Sequence, residues 1–256
     1  MRPYRNASRR FARRSSASIL TLETLFRGVP EAVVFDFDGV IVDSEPLHWK
    51  AFREVLAPAG IAFPWEEYVD RYMGFDDRDA FLEAFRVHGK ALDDGRLAEL
   101  VGAKSRVFQK VIREGVRPFP GAVPLIESIH ARGIPLAISS GALRSDIDPI
   151  LAMLGIAGCF PLVVSADDVE KSKPDPESYR LAWSGLKRLH PASISSPGRS
   201  LAIEDTPAGV RAAKLAGLAV LAVAGSYGEQ ELAEADLFAG SLEQVRIAIS
   251  PWRTPP

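Results

Sequence analysis

The sequence predicts an α/β fold in which a parallel sheet is interrupted by one inserted helical segment. Short apolar runs typical of buried parallel strands recur along the chain, and amphipathic helical patterns separate the later ones. Between residues 46 and 118, by contrast, the apolar residues recur only at helical spacing. With 256 residues, 47% of them hydrophobic and 25% charged, the chain has the size and composition of one large or two modest globular domains.

Predicted strands and helices alternate from about residue 120 onward. The runs predicted as strands are 32–35, 136–138, 162–164, 201–203 and 219–223. The helices predicted between the later strands are 123–132, 142–154, 177–189 and 207–215. This alternation is typical of parallel βαβ units and predicts a Rossmann-like sheet covered by helices. Thr206-Pro207 is a well-marked helix start, because threonine caps a helix and proline is favoured at its first position.

The segment inserted after the first strand is predicted to be a separate helical domain. Ser44-Glu45-Pro46 opens its first helix, and helical spacing continues in 68–73, 80–85 and 97–112. An insertion at the carboxyl end of a strand is well placed to act as a lid. We therefore expect three parts: a basic arm (1–28), a sheet core (29–45 and 119–250) and a helical lid (46–118).

The first 28 residues differ in composition from the rest, since they hold seven arginines and one acid, Glu23. Three interpretations fit this pattern: a disordered arm, an organelle-targeting segment, or residues upstream of the true start. We favour an arm that is disordered or spurious.

Composition also restricts the environment and partners of the chain. Cys159 is the sole cysteine, so an intrachain disulfide is excluded and a reducing cytoplasm is expected. No apolar run approaches the length that a membrane span needs. The residues after the arm are mildly acidic, which disfavours nucleic acid as a partner. We expect a cytoplasmic monomer that binds no membrane and no nucleic acid.

The first strand runs directly into Asp36-Phe37-Asp38-Gly39. Two carboxylates at the carboxyl end of a central strand lie where open α/β sheets bind ligands, and Gly39 permits a sharp turn there. The two acids would repel each other unless a cation lies between them, and oxygen ligands favour Mg²⁺. A simple turn is the alternative. A calcium loop is excluded because apolar residues follow the glycine.

Three further polar segments follow predicted strands, and in an open parallel sheet these ends converge on one crevice. They are Ser139-Ser140-Gly141, the loop around Lys173, and Glu204-Asp205-Thr206-Pro207. Carboxylates can gather a metal, whereas a hydroxyl and a lysine can hold phosphate oxygens, and one carboxylate remains as a nucleophile. The chemistry-bearing side chains of the convergent set are Asp36, Asp38, Ser140, Lys173, Glu204 and Asp205.

The four segments resemble, in order, the four motifs of the haloacid dehalogenase superfamily of phosphotransferases, over roughly residues 30–240. The inserted segment resembles the small helical cap of the subgroup that holds β-phosphoglucomutase, phosphoglycolate phosphatase and sugar-phosphate phosphatases. The resemblance implies a Rossmann-like core, Mg²⁺ as cofactor and a small phosphorylated metabolite as substrate.

The resemblance also implies roles for the core residues. Asp36 would be the nucleophile that forms an aspartyl-phosphate, and Asp38 would protonate the leaving oxygen and then activate water. Ser140 would hydrogen-bond the phosphoryl group, and Lys173 would bridge the nucleophile and the phosphate. The metal ligands implied are Asp36, Asp38, Glu204 and Asp205.

The substrate-binding residues implied by the resemblance come from both parts of the chain. They are Gly39, His48, Gly74, Asp77, Arg78, Lys104 and Gly141. A solvated or packing histidine is an equally simple interpretation of His48, and a surface salt bridge is the alternative for Lys104.

One position departs from the subgroup pattern. β-Phosphoglucomutase has an arginine, which holds a second phosphate, at the position aligned with Asp77, and Arg78 lies one place later. Acidic residues there disfavour a second phosphate. We therefore predict a phosphatase that acts on a sugar phosphate or a phosphoglycolate-like substrate. A β-phosphoglucomutase-like mutase is the alternative, and a non-catalytic phosphate-binding protein is a third hypothesis.

Overall fold

The computed structural model describes residues 20–22, 28–73, 75 and 77–247. Six strands form one sheet, in the order β4-β3-β2-β5-β6-β7, and every neighbouring pair is parallel. These strands are β2 (Val33–Phe35), β3 (Leu136–Ser139), β4 (Leu162–Val164), β5 (Leu201–Glu204), β6 (Ala219–Val223) and β7 (Leu237–Ala239). The predicted α/β class with a parallel sheet is confirmed.

Eight α-helices connect or precede these strands in the described residues. They are α1 (Glu45–Leu56), α2 (Trp65–Arg71), α3 (Asp77–Val87), α4 (Asp94–Ile112), α5 (Ala122–His130), α6 (Arg144–Met153), α7 (Glu177–Leu189) and α8 (Pro207–Leu215). The bounds of α7 and α8 match the prediction, and the side chain of Thr206 caps α8 by accepting a hydrogen bond from Gly209 N–H. Within the described part of the chain, none of the helices has the length and apolar content that crossing a membrane requires.

The register of the central strands brings their carboxyl ends to one edge of the sheet. Phe35, the last residue of β2, pairs with Ile138 on one side and with Ile203 on the other. The backbone N–H of Asp36 continues this ladder by donating to the carbonyl of Ile203 over 2.9 Å. Residues that directly follow β2, β3 and β5 therefore lie at the same edge.

Apolar side chains from the central strands and the covering helices form the core of this part. Val34, Ala137 and Ala202 occupy one buried layer across neighbouring strands, and Tyr179 and Leu186 of α7 pack against it. Because side chains on both faces of these strands are buried, their sequences are continuous apolar runs and do not alternate between apolar and polar residues.

The chain divides into two compact units, and Ser44–Arg117 forms the helical one. Aromatic rings dominate its core: Phe52 meets Phe81 edge to face with the ring centroids 5.1 Å apart, and Phe63 lies 4.6 Å from Tyr72. This aromatic cluster gives the helical unit a hydrophobic core of its own.

The N-terminal arm departs from the prediction at three residues. Leu20–Thr21 forms a short strand, β1, which pairs in parallel with β8 (Val245–Arg246), and the side chain of Leu22 is fully buried. The prediction of a disordered arm is wrong for these three residues, and residues 1–19 and 23–27 lie outside the described residues. Strand β1 could not be predicted from the sequence, because two residues are too few to show a periodic pattern.

Candidate active site

Three carboxylates converge at the carboxyl edge of the sheet. Asp36 follows β2, Glu204 ends β5 and Asp205 follows it, and each offers an oxygen within 4.8 Å of the others. All three residues are buried, at 7%, 0% and 4% exposure respectively. A buried cluster of oxygen ligands of this kind can hold a hard divalent cation.

The ammonium group of Lys173 lies between two of these carboxylates. It donates to Asp36 Oδ1 and Glu204 Oε1, each over 2.6 Å, and to the carbonyl of Ser139 over 3.0 Å. Since a protonated amine has three N–H donors, these contacts use its full capacity. The loop after β4 thus places Lys173 beside Asp36, the residue that the resemblance implies as the nucleophile.

The carboxylate of Glu204 is hydrogen-bonded through both of its oxygens. Oε1 accepts from Lys173 and, over 2.8 Å, from the hydroxyl of Tyr179. Oε2 accepts from the backbone N–H groups of Asp205 and Thr206 and from the Thr206 hydroxyl, over 3.1–3.3 Å. These contacts hold the carboxylate in a single orientation within the cluster.

Burial and mutual repulsion change the acidity of the cluster. Burial raises the pKa of Asp36 to about 7, against the opposing charge of Lys173, and the charge of Glu204 adds to the rise. Burial also raises the pKa of Asp205 well above its ordinary value, and the charges of Asp36 and Glu204 add to this. The cluster therefore has more carboxylates than its lysine can neutralise, and a bound cation would relieve the excess charge.

For Lys173, burial lowers the pKa, but the charges of Asp36 and Glu204 outweigh it and raise the pKa above the ordinary value of lysine. Tyr179 is fully buried beside this group, and burial together with the charge of Glu204 raises its pKa well above the ordinary value. Lys173 therefore stays charged and Tyr179 stays a neutral hydroxyl that can donate.

Two glycines leave the space that the carboxylates occupy. Gly39 has a φ of +84°, and a Cβ atom there would lie 2.0 Å from Asp205 Oδ2. A Cβ atom on Gly209, in the first turn of α8, would lie 1.9 Å from Glu204 Oε1. Both positions thus require glycine for steric reasons, and Gly39 requires it for its backbone conformation too.

The other predicted core residues lie near the cluster in different ways. Ser140 is buried and its Oγ accepts from Ala142 N–H over 2.9 Å, whereas Gly141 is exposed and a Cβ atom there would meet nothing within 4 Å. Asp38 is half-buried and lies outside the three-carboxylate group, although its charge adds to the rise in the pKa of Asp36 and of Asp205.

Three of the predicted substrate-binding residues meet inside the helical unit. Lys104 of α4 is 2% exposed and donates to Asp77 Oδ1 over 2.6 Å and to His48 Nδ1 over 2.7 Å. Burial and the charge of Lys104 hold the pKa of His48 well below its ordinary value, so its ring is neutral and Nδ1 accepts. The imidazole stacks on Phe108 with the ring centroids 4.2 Å apart. Lys104 does form a salt bridge, with Asp77, but its side chain is buried, so the surface location of the alternative is wrong.

Two further predicted substrate-binding residues, Gly74 and Arg78, belong to the sequence of the helical unit. Arg78 contacts Asp94 over 3.5 Å, and both side chains are exposed. Gly74 lies outside the described residues.

Sequence reasoning missed Tyr179 and Gly209. Tyr179 has helical spacing to other core positions of α7, which is the ordinary pattern of a packing residue. Gly209 lies within the N-terminal turn of a helix, where a glycine could have suggested a nearby group that needs space.

One buried atom supports a metal at the carboxylate cluster. Among the described residues, Asp205 Oδ1 is buried and finds no hydrogen-bond partner. A buried carboxylate oxygen without a donor is costly unless a cation binds it. The donor set, made only of oxygens, and this atom fit a hard divalent cation.

Known proteins resemble this chain in sequence and in structure. Residues 33–223 match the family described as haloacid dehalogenase-like hydrolase. The phosphorylated carbohydrates phosphatase of Thermotoga maritima is 32% identical over 191 residues, which cover 73% of this chain and 82% of that protein.

Two solved structures share the fold. CbbY from Rhodobacter sphaeroides, in complex with xylulose-(1,5)bisphosphate, has a TM-score of 0.73 and 28% identity and covers 84% of this chain and 95% of its own. β-Phosphoglucomutase from Clostridium difficile has a TM-score of 0.70 and covers 84% of this chain and 93% of its own, but at 24% identity it shows the fold alone.

The family match extends over most of the chain and includes the strands that carry the carboxylate cluster. The phosphatase among the relatives supports phosphohydrolase activity. The chain is therefore an enzyme that belongs to the haloacid dehalogenase-like hydrolase family.

Proposed function

We propose that this enzyme is a phosphomonoesterase that removes phosphate from a small phosphorylated carbohydrate. The observation that carries the proposal is the 2.6 Å contact between Lys173 Nζ and Asp36 Oδ1, inside a cluster with two further buried carboxylates. A carboxylate held by a cation at the end of a central strand is suited to attack an electrophilic phosphorus. Lysine can also hold the phosphate oxygens that carry charge during transfer.

We propose Mg²⁺ as the cofactor, held by Asp36 and Asp205 together with Asp38. When bound, Mg²⁺ supplies positive charge that reduces the repulsion between the carboxylates and a phosphate dianion. The hydrogen bonds to both oxygens of Glu204 favour a supporting role for this residue beside the metal, rather than direct ligation.

The protein's own residues would divide the chemistry as follows. An oxygen of Asp36 attacks phosphorus and forms an aspartyl-phosphate while the bond to the leaving oxygen breaks, and Asp38 donates a proton to that oxygen. Asp38 then takes a proton from water as the water oxygen attacks phosphorus. The bond between phosphorus and the Asp36 oxygen breaks, which releases inorganic phosphate and regenerates the Asp36 carboxylate. Ser140 holds a phosphoryl oxygen during both steps, and the positive charge of Lys173 beside Asp36 stabilises the negative charge on the phosphoryl group.

We propose that the helical unit supplies the contacts that select the leaving group. The relative from Thermotoga maritima is named for phosphorylated carbohydrates, which supports a sugar phosphate as the substrate class. The ion pair between Lys104 and Asp77 leaves little net positive charge for a second phosphate. A monophosphate is therefore the favoured substrate.

A β-phosphoglucomutase-like activity is the second candidate. The buried pair of His48 and Lys104 favours it, because these residues match substrate-facing positions of that enzyme. Asp77 opposes it, since a mutase must hold a bisphosphate intermediate. With β-glucose 1-phosphate as substrate, glucose 6-phosphate as product would indicate the mutase and free phosphate would indicate the hydrolase.

Phosphate release from an aryl phosphate and from a panel of sugar phosphates tests the proposal. We expect turnover with Mg²⁺ that is lost in excess EDTA and restored by added Mg²⁺. Asp36→Asn should lower kcat by a factor on the order of 10³ or more, because an amide cannot act as the nucleophile. Its circular dichroism should match that of the wild type.

Asp148→Asn provides the matched control, because Asp148 is 58% exposed and contacts only Arg144 at 3.8 Å among the ion pairs of the described residues. It should keep full activity. Substantial turnover by Asp36→Asn, or full activity of the wild type in excess EDTA, would contradict the proposed function.

A further inference from the structure

Tyr179 is a buried polar residue in contact with the site, yet no motif of the sequence includes it. It is the third residue of α7 and is fully buried, and its hydroxyl donates to Glu204 Oε1 over 2.8 Å. Its ring lies under the ammonium group of Lys173, with Nζ 4.9 Å from the ring centroid. Tyr179 therefore contacts Lys173 and the carboxylate that binds it.

The geometry of Lys173 depends on the oxygen that Tyr179 holds. Lys173 has three acceptors: Asp36 Oδ1, the Ser139 carbonyl and Glu204 Oε1. The Ser139 carbonyl is fixed by the backbone of β3, whereas Glu204 Oε1 is at the end of a side chain whose other oxygen is held by Asp205 and Thr206. Besides Lys173, the tyrosine hydroxyl is the donor that holds Oε1 itself, so it completes the restraint on the carboxylate.

We propose that Tyr179 is a positioning residue that keeps Lys173 against Asp36, through its hydrogen bond to Glu204 and its ring beneath the ammonium group. The proposal rests on the proposed phosphomonoesterase function. Tyr179 lies on the lysine side of the site, since its hydroxyl bonds Glu204 and its ring faces Lys173. Within the described part of the chain, it makes no hydrogen bond with Asp36 or Asp205.

Tyr179→Phe tests the proposal, because it keeps the ring under Lys173 and removes only the hydroxyl. We expect kcat for an aryl phosphate to fall about tenfold, as is typical when a group that orients an active-site residue is removed. KM should change less than twofold, since Ser140 would still bind the phosphoryl group. The dissociation constant of Mg²⁺, measured by calorimetry without substrate, should also stay within twofold.

Ser178→Ala is the matched control on the same helix. Ser178 is 4% exposed, and its hydroxyl finds no hydrogen-bond partner among the described residues. This variant therefore removes a neighbouring buried hydroxyl of α7 without touching Glu204 or Lys173, and it should keep wild-type kcat. Thermal melts of both variants identify any general loss of packing.

Three results would overturn the inference. They are wild-type kcat in Tyr179→Phe, an equal loss of kcat in Ser178→Ala, or a loss in Tyr179→Phe that saturating Mg²⁺ reverses. An active wild type with a fully active Tyr179→Phe would overturn this inference alone. A wild type without activity on any phosphate ester would overturn the proposed function, and this inference with it.

Discussion

At the residue scale, the site is organised by a balance between buried charges and the groups that neutralise them. The charge of Lys173 is shared by Asp36 and Glu204, whereas Asp205 Oδ1 has no hydrogen-bond donor among the described residues. The carboxylate of Glu204 accepts hydrogen bonds from Tyr179 of α7 and from residues just before α8. These bonds fix the carboxylate, which in turn holds the ammonium group of Lys173. The remaining unsatisfied charge is concentrated on Asp205, where the proposed Mg²⁺ would lie.

Gly209→Ala is predicted to displace Glu204. The added Cβ atom would lie 1.9 Å from Glu204 Oε1, so the carboxylate must move away from Lys173 and Tyr179. We expect a loss of roughly 1–3 kcal/mol in the free energy of unfolding, typical of overpacking. The value of kcat should fall about tenfold because the displaced carboxylate no longer orients Lys173. Urea denaturation and aryl phosphate turnover measure the two effects.

Gly102→Ala is the control for the helical substitution itself. Gly102 lies within α4, and a Cβ atom there would approach only the end of the flexible Arg106 side chain, at 3.4 Å. Alanine is the better helix former, so this variant should gain up to about 1 kcal/mol in stability. A Gly209→Ala enzyme that is equally stabilised and fully active would show that Glu204 does not need the space.

At the element scale, the sequence predicted what long patterns and capping residues specify. The helices α7 and α8 were predicted with their observed bounds, because α7 is strongly amphipathic and Thr206-Pro207 marks the start of α8. The strands β7, β1 and β8 were not predicted. They are two or three residues long, and β1 and β8 pair with each other from opposite ends of the described chain.

The candidate active site, like the fold, could be predicted only in part from the sequence. Asp36, Lys173 and Asp205 follow strands whose apolar runs are recognisable, and parallel topology alone brings such strand ends together. The contact of Tyr179 with Glu204 could not be predicted, since it depends on which face of α7 covers the sheet. The burial of Lys104 could not be predicted either, because helical spacing does not specify how closely α1 and α4 pack.

Leu22→Ala is predicted to destabilise the sheet unit. Leu22 directly follows β1 and is fully buried, so its truncation leaves a cavity. We expect the free energy of unfolding to fall by roughly 2–5 kcal/mol, as for other buried leucines. Leu189→Ala is the control, because Leu189 is 55% exposed. This substitution should lower the free energy of unfolding by no more than about 0.5 kcal/mol.

For the same reason, deletion of residues 1–28 should lower the melting temperature, because it removes β1 and Leu22 together. This reverses the expectation from composition alone. If Leu22→Ala and the deletion both melt at the wild-type temperature, β1 and Leu22 do not contribute to the stability of the fold.

At the scale of the whole molecule, the two units carry different kinds of electrostatic site. The sheet unit holds an excess of carboxylates around one lysine, which suits a metal and a transferring phosphoryl group. The helical unit pairs Lys104 with Asp77 beside a neutral His48, which suits hydroxyl groups better than a second anion. Under the proposed function, the first site performs the transfer and the second selects the leaving group.

Asp77→Asn tests this division between the two units. Asparagine keeps an oxygen that can accept from Lys104, but it removes the negative charge that now neutralises the lysine. The freed positive charge should attract a second phosphate on the substrate. We expect the ratio of kcat/KM for a sugar bisphosphate to that for the matching monophosphate to rise about tenfold, equivalent to roughly 1.4 kcal/mol. Turnover of an aryl phosphate, which lacks the sugar, should change less than twofold.

Asp70→Asn is the control for this measurement, because Asp70 is an exposed aspartate of α2 in the same unit and its removal changes the net charge equally. It should leave the ratio unchanged, since an exposed charge is screened by solvent and salt. A rise of the same size in Asp70→Asn would show that net charge alone attracts the bisphosphate. If kcat/KM for all three substrates changes by one common factor in Asp77→Asn, the pair of Lys104 and Asp77 does not read the leaving group, and selection must come from other residues.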